Sequence, residues 1–179
     1  GEWTFEFDHG KSGQEAGRAL YTSRGFDSSI LVPFCPESRL SGVGYTDFIE
    51  CLWYHRSFTI PESWNGKTIH LHFGAVDYES EVFVDGEPAG RHFGGAVSFS
   101  IDITDRVEVG RIHELVLRVF DDTRSQVQPA GKQSIIYRSR GCRYTRVTGI
   151  WQTVWLEPID PRGLRDIHLV PDLDAGRIQ

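Results

Sequence analysis

Apolar and polar positions alternate with a period of two along most of the chain, and that alternation predicts strands. In WTFEF, residues 3–7, Trp3, Phe5 and Phe7 fall on one face. SILVP at 29–33 is a short apolar run closed by proline. CLWYHRSFTIP at 51–61 is a long alternating strand, with Leu52, Tyr54, Arg56 and Phe58 on one side and Trp53, His55, Ser57 and Thr59 on the other. TIHLHFG at 68–74 alternates again, after a turn closed by Asn65-Gly66. Residues 80–84 and 88–93 flank Asp85-Gly86, a hairpin signal. Strands are also predicted at 97–104, 113–121, 150–157 and 164–170, with a short one at SIIY (134–137), and Thr104-Asp105 is placed to cap one helical turn.

Between these runs lie polar, glycine-containing stretches at 9–24, 34–50 and 122–147, read as loops, the second as a long surface loop. No window of a dozen residues carries a sustained helical apolar stripe. Short strands separated by turn signals predict an all-β, mostly antiparallel β-sandwich, and the uneven loops fit a jelly roll. Pro158 and Pro161 then break the pattern. The expected division is a sandwich over 1–159 and, over 160–179, a linker with the first strand of a following module.

TGIWQTVWLE (148–157) departs from a one-sided strand. Val154 and Leu156 point to one face, while Trp151 and Trp155 load the other with apolar bulk. Two indoles on an open face would form a sticky patch. Trp151 and Trp155 are therefore expected to meet further domains, or else to lie under the 34–50 or 122–147 loop.

Composition narrows the function. The chain has 179 residues and a formal net charge of −6, which argues against general nucleic-acid binding, and no apolar run is long enough for a membrane helix. It contains no methionine, consistent with a processed chain or a fragment. Cys35, Cys51 and Cys142 are spaced like neither a disulfide framework nor a zinc motif and allow at most one bridge. His70 and His72 share a strand face without a third ligand in sequence and read as a solvated or interface face; no metal or cofactor is expected. Asp121 and Asp122 read as strand-end caps. GxSxG, P-loop and HExxH patterns are absent, and Ser134 and Ser139 stand beside arginines rather than a histidine base. RSRGCRYTR places Arg138, Arg140, Arg143 and Arg146 among Tyr137 and Tyr144. This is either a solvated loop or a recognition surface, with guanidinium forks for carboxylates or hydroxyls and rings for a pyranose face.

Several stretches taken in order, VPFCPESRLSG, WYHRSFTIPESWNGK, LHFGAVDYESEVFVDGEPAGRHFGG, FSIDIT, GKQ and TGIWQTVWLE, resemble the N-terminal sugar-binding domain of glycoside hydrolase family 2, over Trp3 to about Pro158. The resemblance is closest to a bacterial β-galactosidase-like group. It implies a jelly-roll sandwich, a following immunoglobulin-like domain and a (β/α)8 barrel bearing two catalytic glutamates, with carbohydrate as the ligand. This chain then carries no catalytic residue of its own. In well-known members an aspartate just before the Gly-Ile strand holds a sugar hydroxyl. Here GCRYTRVTGI has no acid, and Arg143, Tyr144 and Arg146 take its place. These three, with Asp47 and Glu50 of the 34–50 loop, are the expected pocket-rim residues. A stand-alone carbohydrate-binding module and a purely structural domain remain alternatives.

Overall fold

The computed structural model describes residues 1–20, 25–164 and 167–179. Its strands are β1 (Glu2–Phe7), β2 (Ser28–Leu31), β3 (Cys51–Thr59), β4 (Thr68–Phe73), β5 (Val76–Asp77), β6 (Glu79–Val84), β7 (Glu87–Phe93), β8 (Phe99–Asp102), β9 (Ile112–Phe120), β10 (Gly149–Ile150), β11 (Val154–Ile159), β12 (Pro171–Asp172) and β13 (Arg177–Ile178). Every paired strand is antiparallel. One sheet runs β2-β1-β3-β9-β6-β7 and faces a smaller one, β11-β4-β8, while β10-β5 and β12-β13 are short ribbons. The fold is the all-β sandwich that the alternation predicts.

The core lies between the two larger sheets. Trp3, Phe5, Leu52, Tyr54, Leu115 and Leu117 enter from one sheet and Ile69, Leu71 and Phe73 from the other, all under 5% exposed. The long strand β3 is buried on both faces. Its Trp53 joins Phe26, Phe83 and Val116 in a second apolar cluster behind the larger sheet. Trp53 Nε1 donates to Asp8 Oδ2 at 3.0 Å, and Ser12 N and Gly13 N donate to the same carboxylate. The segment after β1 is thus tied across the sheet, and a face that alternation would leave wet is closed. The Asp85-Gly86 hairpin forms as expected, with φ of 51° and 82° at its two turn residues.

Four local expectations are corrected. The SIIY segment is not a strand; the Ser134 hydroxyl donates to the carbonyls of Ile136 (2.9 Å) and Arg138 (3.0 Å) and winds the chain into bends. The 34–50 segment is a loop, but not one confined to the surface, because Glu37, Ser41 and Ile49 are buried and a 3-10 turn spans Arg39–Ser41. The 150–157 strand is interrupted. Four steps from Ile150 to Val154 oppose three from Val76 to Phe73, and the extra residue breaks the ladder at 151–153. Of the expected 164–170 strand, Arg165 and Asp166 lie outside the described residues, as do residues 21–24 of the 9–24 loop. Residues 167–170 form no strand; the ladder starts only where Val170 and Gln179 exchange backbone hydrogen bonds beside the β12–β13 turn. The helical turn at Thr104–Arg106 is present, but its N-terminal donor is held by Asp102 Oδ1, which accepts from Thr104 N at 3.0 Å.

Candidate functional site

The 122–148 segment leaves the end of β9 and returns at β10, and its attachments run to side chains far away in sequence. Asp121 is 1% exposed; it accepts from the Thr123 hydroxyl at 3.2 Å, from Gln128 Nε2, and from the Thr148 hydroxyl at 3.1 Å. Asp121 therefore clasps both ends of the segment, which exceeds the strand-end cap expected of it. Asp122 does cap a local turn, accepting from Ser125 N at 3.1 Å. Gln133 Nε2 donates to Asp77 Oδ2 at 2.8 Å, and its Oε1 accepts from Val147 N at 2.8 Å. Thr148 N donates to Glu37 Oε2 at 3.2 Å.

Gly149 explains the TGI motif physically. Its φ is +78°, and a Cβ there would lie 2.2 Å from the Tyr54 hydroxyl. That hydroxyl, fully buried, accepts from Ile150 N at 3.2 Å. Glycine is thus required by both the left-handed backbone and the approach of a core ring.

The expected rim residues divide into braces and exposed groups. Arg146 is 2% exposed and donates from Nη1 to the carbonyls of Ser134 (3.1 Å) and Ile136 (2.9 Å), and from Nη2 to that of Thr46. Its guanidinium also lies 4.1 Å from the centroid of Phe48. Arg146 is a brace that pins the segment to residues 46–48, and its planar fork suits three carbonyls at once. Glu50 forms ion pairs with Lys11 (2.6 Å) and Arg124. Hydrogen bonds from those two cations hold its carboxyl below the usual range. Asp47 is exposed, and its Oδ1 accepts from Phe48 N at 2.7 Å. Arg143 and Tyr144 are exposed, Arg143 donating one bond to the Gln133 carbonyl at 3.2 Å. The structure thus brings the 46–50 and 124–146 segments together, with the Phe48 ring meeting the guanidinium groups of both Arg124 and Arg146.

A cleft of about 630 Å3 opens beside this segment, walled by Tyr78, Pro129, Tyr144 and Trp151, with Asp77 and Gln133 as polar members. Trp151 is half-buried there and donates from Nε1 to the Gly95 carbonyl at 2.7 Å. Trp155 lies elsewhere, on the outer face of the smaller sheet. It is 43% exposed and stacks on His72, with centroids 4.8 Å apart and planes 9° from parallel. The loops at 34–50 and 122–147 therefore leave Trp155 uncovered. His70 and His72 stack on each other in the same row, and among the described residues no set of three potential ligands converges on a metal position.

Three buried acids were invisible as a group in the sequence. Burial pushes the carboxyls of Glu37 and Asp77 up to about 7 and that of Asp121 to about 6. For Asp77 the nearby Asp121 adds to the effect of burial. Among the described residues Asp77 Oδ1 has no hydrogen-bond partner. No motif spacing links residues 37, 77 and 121; GKQ, which contributes Gln133, was the one usable signal. The cysteines are all free, and burial raises Cys35 to about 12 and Cys51 to about 11.

Residues 1–156 match the sequence profile of the glycosyl hydrolases family 2 sugar binding domain. The chain belongs to this family. A β-galactosidase of Thermoanaerobacter pseudethanolicus is 29% identical over 120 residues, covering 67% of this chain and 15% of the relative. A putative β-glucuronidase of Formosa agariphila is 32% identical over 117 residues, covering 65% and 13%. Among solved structures, Lactobacillus rhamnosus β-glucuronidase superposes with a TM-score of 0.60 at 28% identity, over 69% of this chain and 21% of that one. The family 2 domain thus corresponds to a small part of much longer relatives, and both galactosidases and glucuronidases are among them.

Proposed function

We propose that this domain forms one wall of the sugar pocket in a retaining family 2 glycosidase of the β-galactosidase-like group, while the chemistry belongs to a (β/α)8 barrel elsewhere in the protein. Two glutamates there act as acid/base and as nucleophile. Residues 1–159 are the sandwich, and 160–179 lead into an immunoglobulin-like domain. The wall is the 122–148 segment. The observation that carries this reading is how the segment is tied down: hydrogen bonds of Arg146, Gln133, Thr148 and Asp121 hold it at four points and leave Arg143 and Tyr144 exposed. A preorganised loop loses little freedom when it meets a ligand. Trp155, exposed and flat, is where a neighbouring domain packs.

Replacing Arg143 by Ala in the full-length protein tests the wall. Loss of one substrate contact is expected to lower kcat/KM by roughly tenfold with Tm unchanged. An unchanged kcat/KM would leave the domain a purely structural one. The galactosidase assignment is tested separately, by comparing hydrolysis of aryl β-galactoside and aryl β-glucuronide; preference for the glucuronide overturns it.

A further inference from the structure

The 123–156 stretch has a charge balance unlike the rest of the chain. It contains Arg124, Lys132, Arg138, Arg140, Arg143 and Arg146 and neither Asp nor Glu, in a chain of net charge −6. Arg124 is paired with Glu50, and Arg146 is buried on carbonyls. Among the described residues, Lys132, Arg138, Arg140 and Arg143 form no ion pair with any carboxylate. All four are exposed. A chain with an excess of acids thus collects like charges in one loop and, among the described residues, leaves them without an ion-pair partner.

The loop is also shaped. Arg140 and Arg143 exchange backbone hydrogen bonds of 3.3 and 3.0 Å across the Gly141-Cys142 turn, which sets them side by side. They border a cleft of about 390 Å3 whose apolar members are Ile135 and Ile136. Tyr137 and Tyr144 are 58% and 49% exposed, and Tyr144 also borders the larger cleft described above. Guanidinium forks, an apolar floor and flat rings within one braced loop suit a pyranose that carries an anionic group: the fork takes two oxygens of a carboxylate or sulfate, and the ring or floor takes the C–H face.

We propose that the 132–144 loop is a binding site for an acidic saccharide, one bearing carboxylate or sulfate, with Arg138, Arg140 and Arg143 as its anion-binding residues. The inference rests on reading the loop as a pocket wall. It concerns which saccharide the wall admits, whichever sugar is cleaved.

The test is calorimetric titration of the full-length protein with an oligouronate and its methyl ester, and with a sulfated oligosaccharide and its desulfated form. At least one acidic ligand is expected to bind tenfold or more tightly than its neutral counterpart, with the difference shrinking as salt rises. Because each charge-assisted contact is worth on the order of tenfold, an Arg138→Gln/Arg140→Gln variant should abolish most of that preference. Preference for the carboxylate alone or the sulfate alone identifies the group. Equal binding of acidic and neutral forms overturns the proposal, as does a variant that keeps the full preference. If the variant instead lowers Tm without ligand, and acid and neutral forms bind alike, the cations meet an acidic surface of the protein itself and the proposal fails. If the wild type hydrolyses no glycoside at all, the glycosidase reading fails, while the binding comparison still decides this one.

Discussion

Gly149→Ala puts the packing around the TGI motif to a quantitative test. An added Cβ would stand 2.2 Å from the Tyr54 hydroxyl and 3.0 Å from two ring carbons, at a backbone φ of +78°. The left-handed conformation costs about 1–2 kcal/mol for a residue with a Cβ. Tyr54 is fully buried and set edge-on against Trp3, so displacing its ring costs a further ~1–3 kcal/mol in overpacking. Losing the bond from Ile150 N to the hydroxyl adds ~1 kcal/mol. The total is roughly 3–6 kcal/mol, a Tm loss on the order of 10 °C for a domain of this size. Urea denaturation followed by tryptophan fluorescence reads the loss directly. Gly66→Ala is the control: φ there is +76°, but nothing lies within 4 Å of the added Cβ, so only the backbone cost applies. In a Tyr54→Phe background the nearest clash disappears, and the cost of Gly149→Ala should fall by ~1 kcal/mol or more. A Gly149→Ala variant no less stable than Gly66→Ala would refute the packing account.

Further outcomes follow from the buried groups. Glu37 and Asp77 near 7 and Asp121 near 6 lie above ordinary carboxyl values, so the folded chain holds more protons than the unfolded one between about pH 4 and 7. Their contribution is complete below pH 4 and is lost as pH rises to 7. Asp77→Asn should therefore flatten the fall of Tm between pH 5 and 8 and raise stability at pH 8 by a few kcal/mol at most; an unchanged Tm–pH slope would count against it. Arg146→Ala removes the buried guanidinium that donates to three backbone carbonyls and should cost roughly 2–4 kcal/mol, with faster protease cleavage within 132–145 than elsewhere; cleavage spread evenly along the chain would contradict the bracing role. A thiol reagent should modify the exposed Cys142 fastest and the buried Cys51 only after unfolding; peptide mapping that finds Cys51 modified rapidly in the native protein would contradict its burial.

The sandwich was legible because alternation reports burial wherever a sheet has one dry face, as at Leu52, Tyr54 and Phe58. It failed at Trp53, where the segment holding Asp8 covers the second face; periodicity within one strand carries no information about a remote strap. SIIY misled for a related reason. Its β-branched residues favour a strand only where a ladder partner exists, and the Ser134 hydroxyl offers the backbone a different partner. The arginine loop was visible as composition, but its division into a buried brace and exposed cations was not. Arg146 and Arg143 are both arginines in a polar stretch, and only the carbonyls of Ser134, Ile136 and Thr46 distinguish them.

The bonds that hold the wall also dictate when it can form. Thr148 meets Glu37 across 111 residues, Arg146 meets Thr46 across 100, and Ile150 meets Tyr54 across 96. Such contacts close large loops before any is rewarded, so they belong to the slow end of folding. Hairpins such as β6–β7 can pair early from neighbouring residues; the 122–148 segment must wait until β3 and β9 have presented the groups that catch it. During synthesis the acceptors Glu37, Thr46 and Tyr54 emerge long before the donors that need them. The unlatched segment, with its surplus of cations, is then the last part of the domain to become ordered.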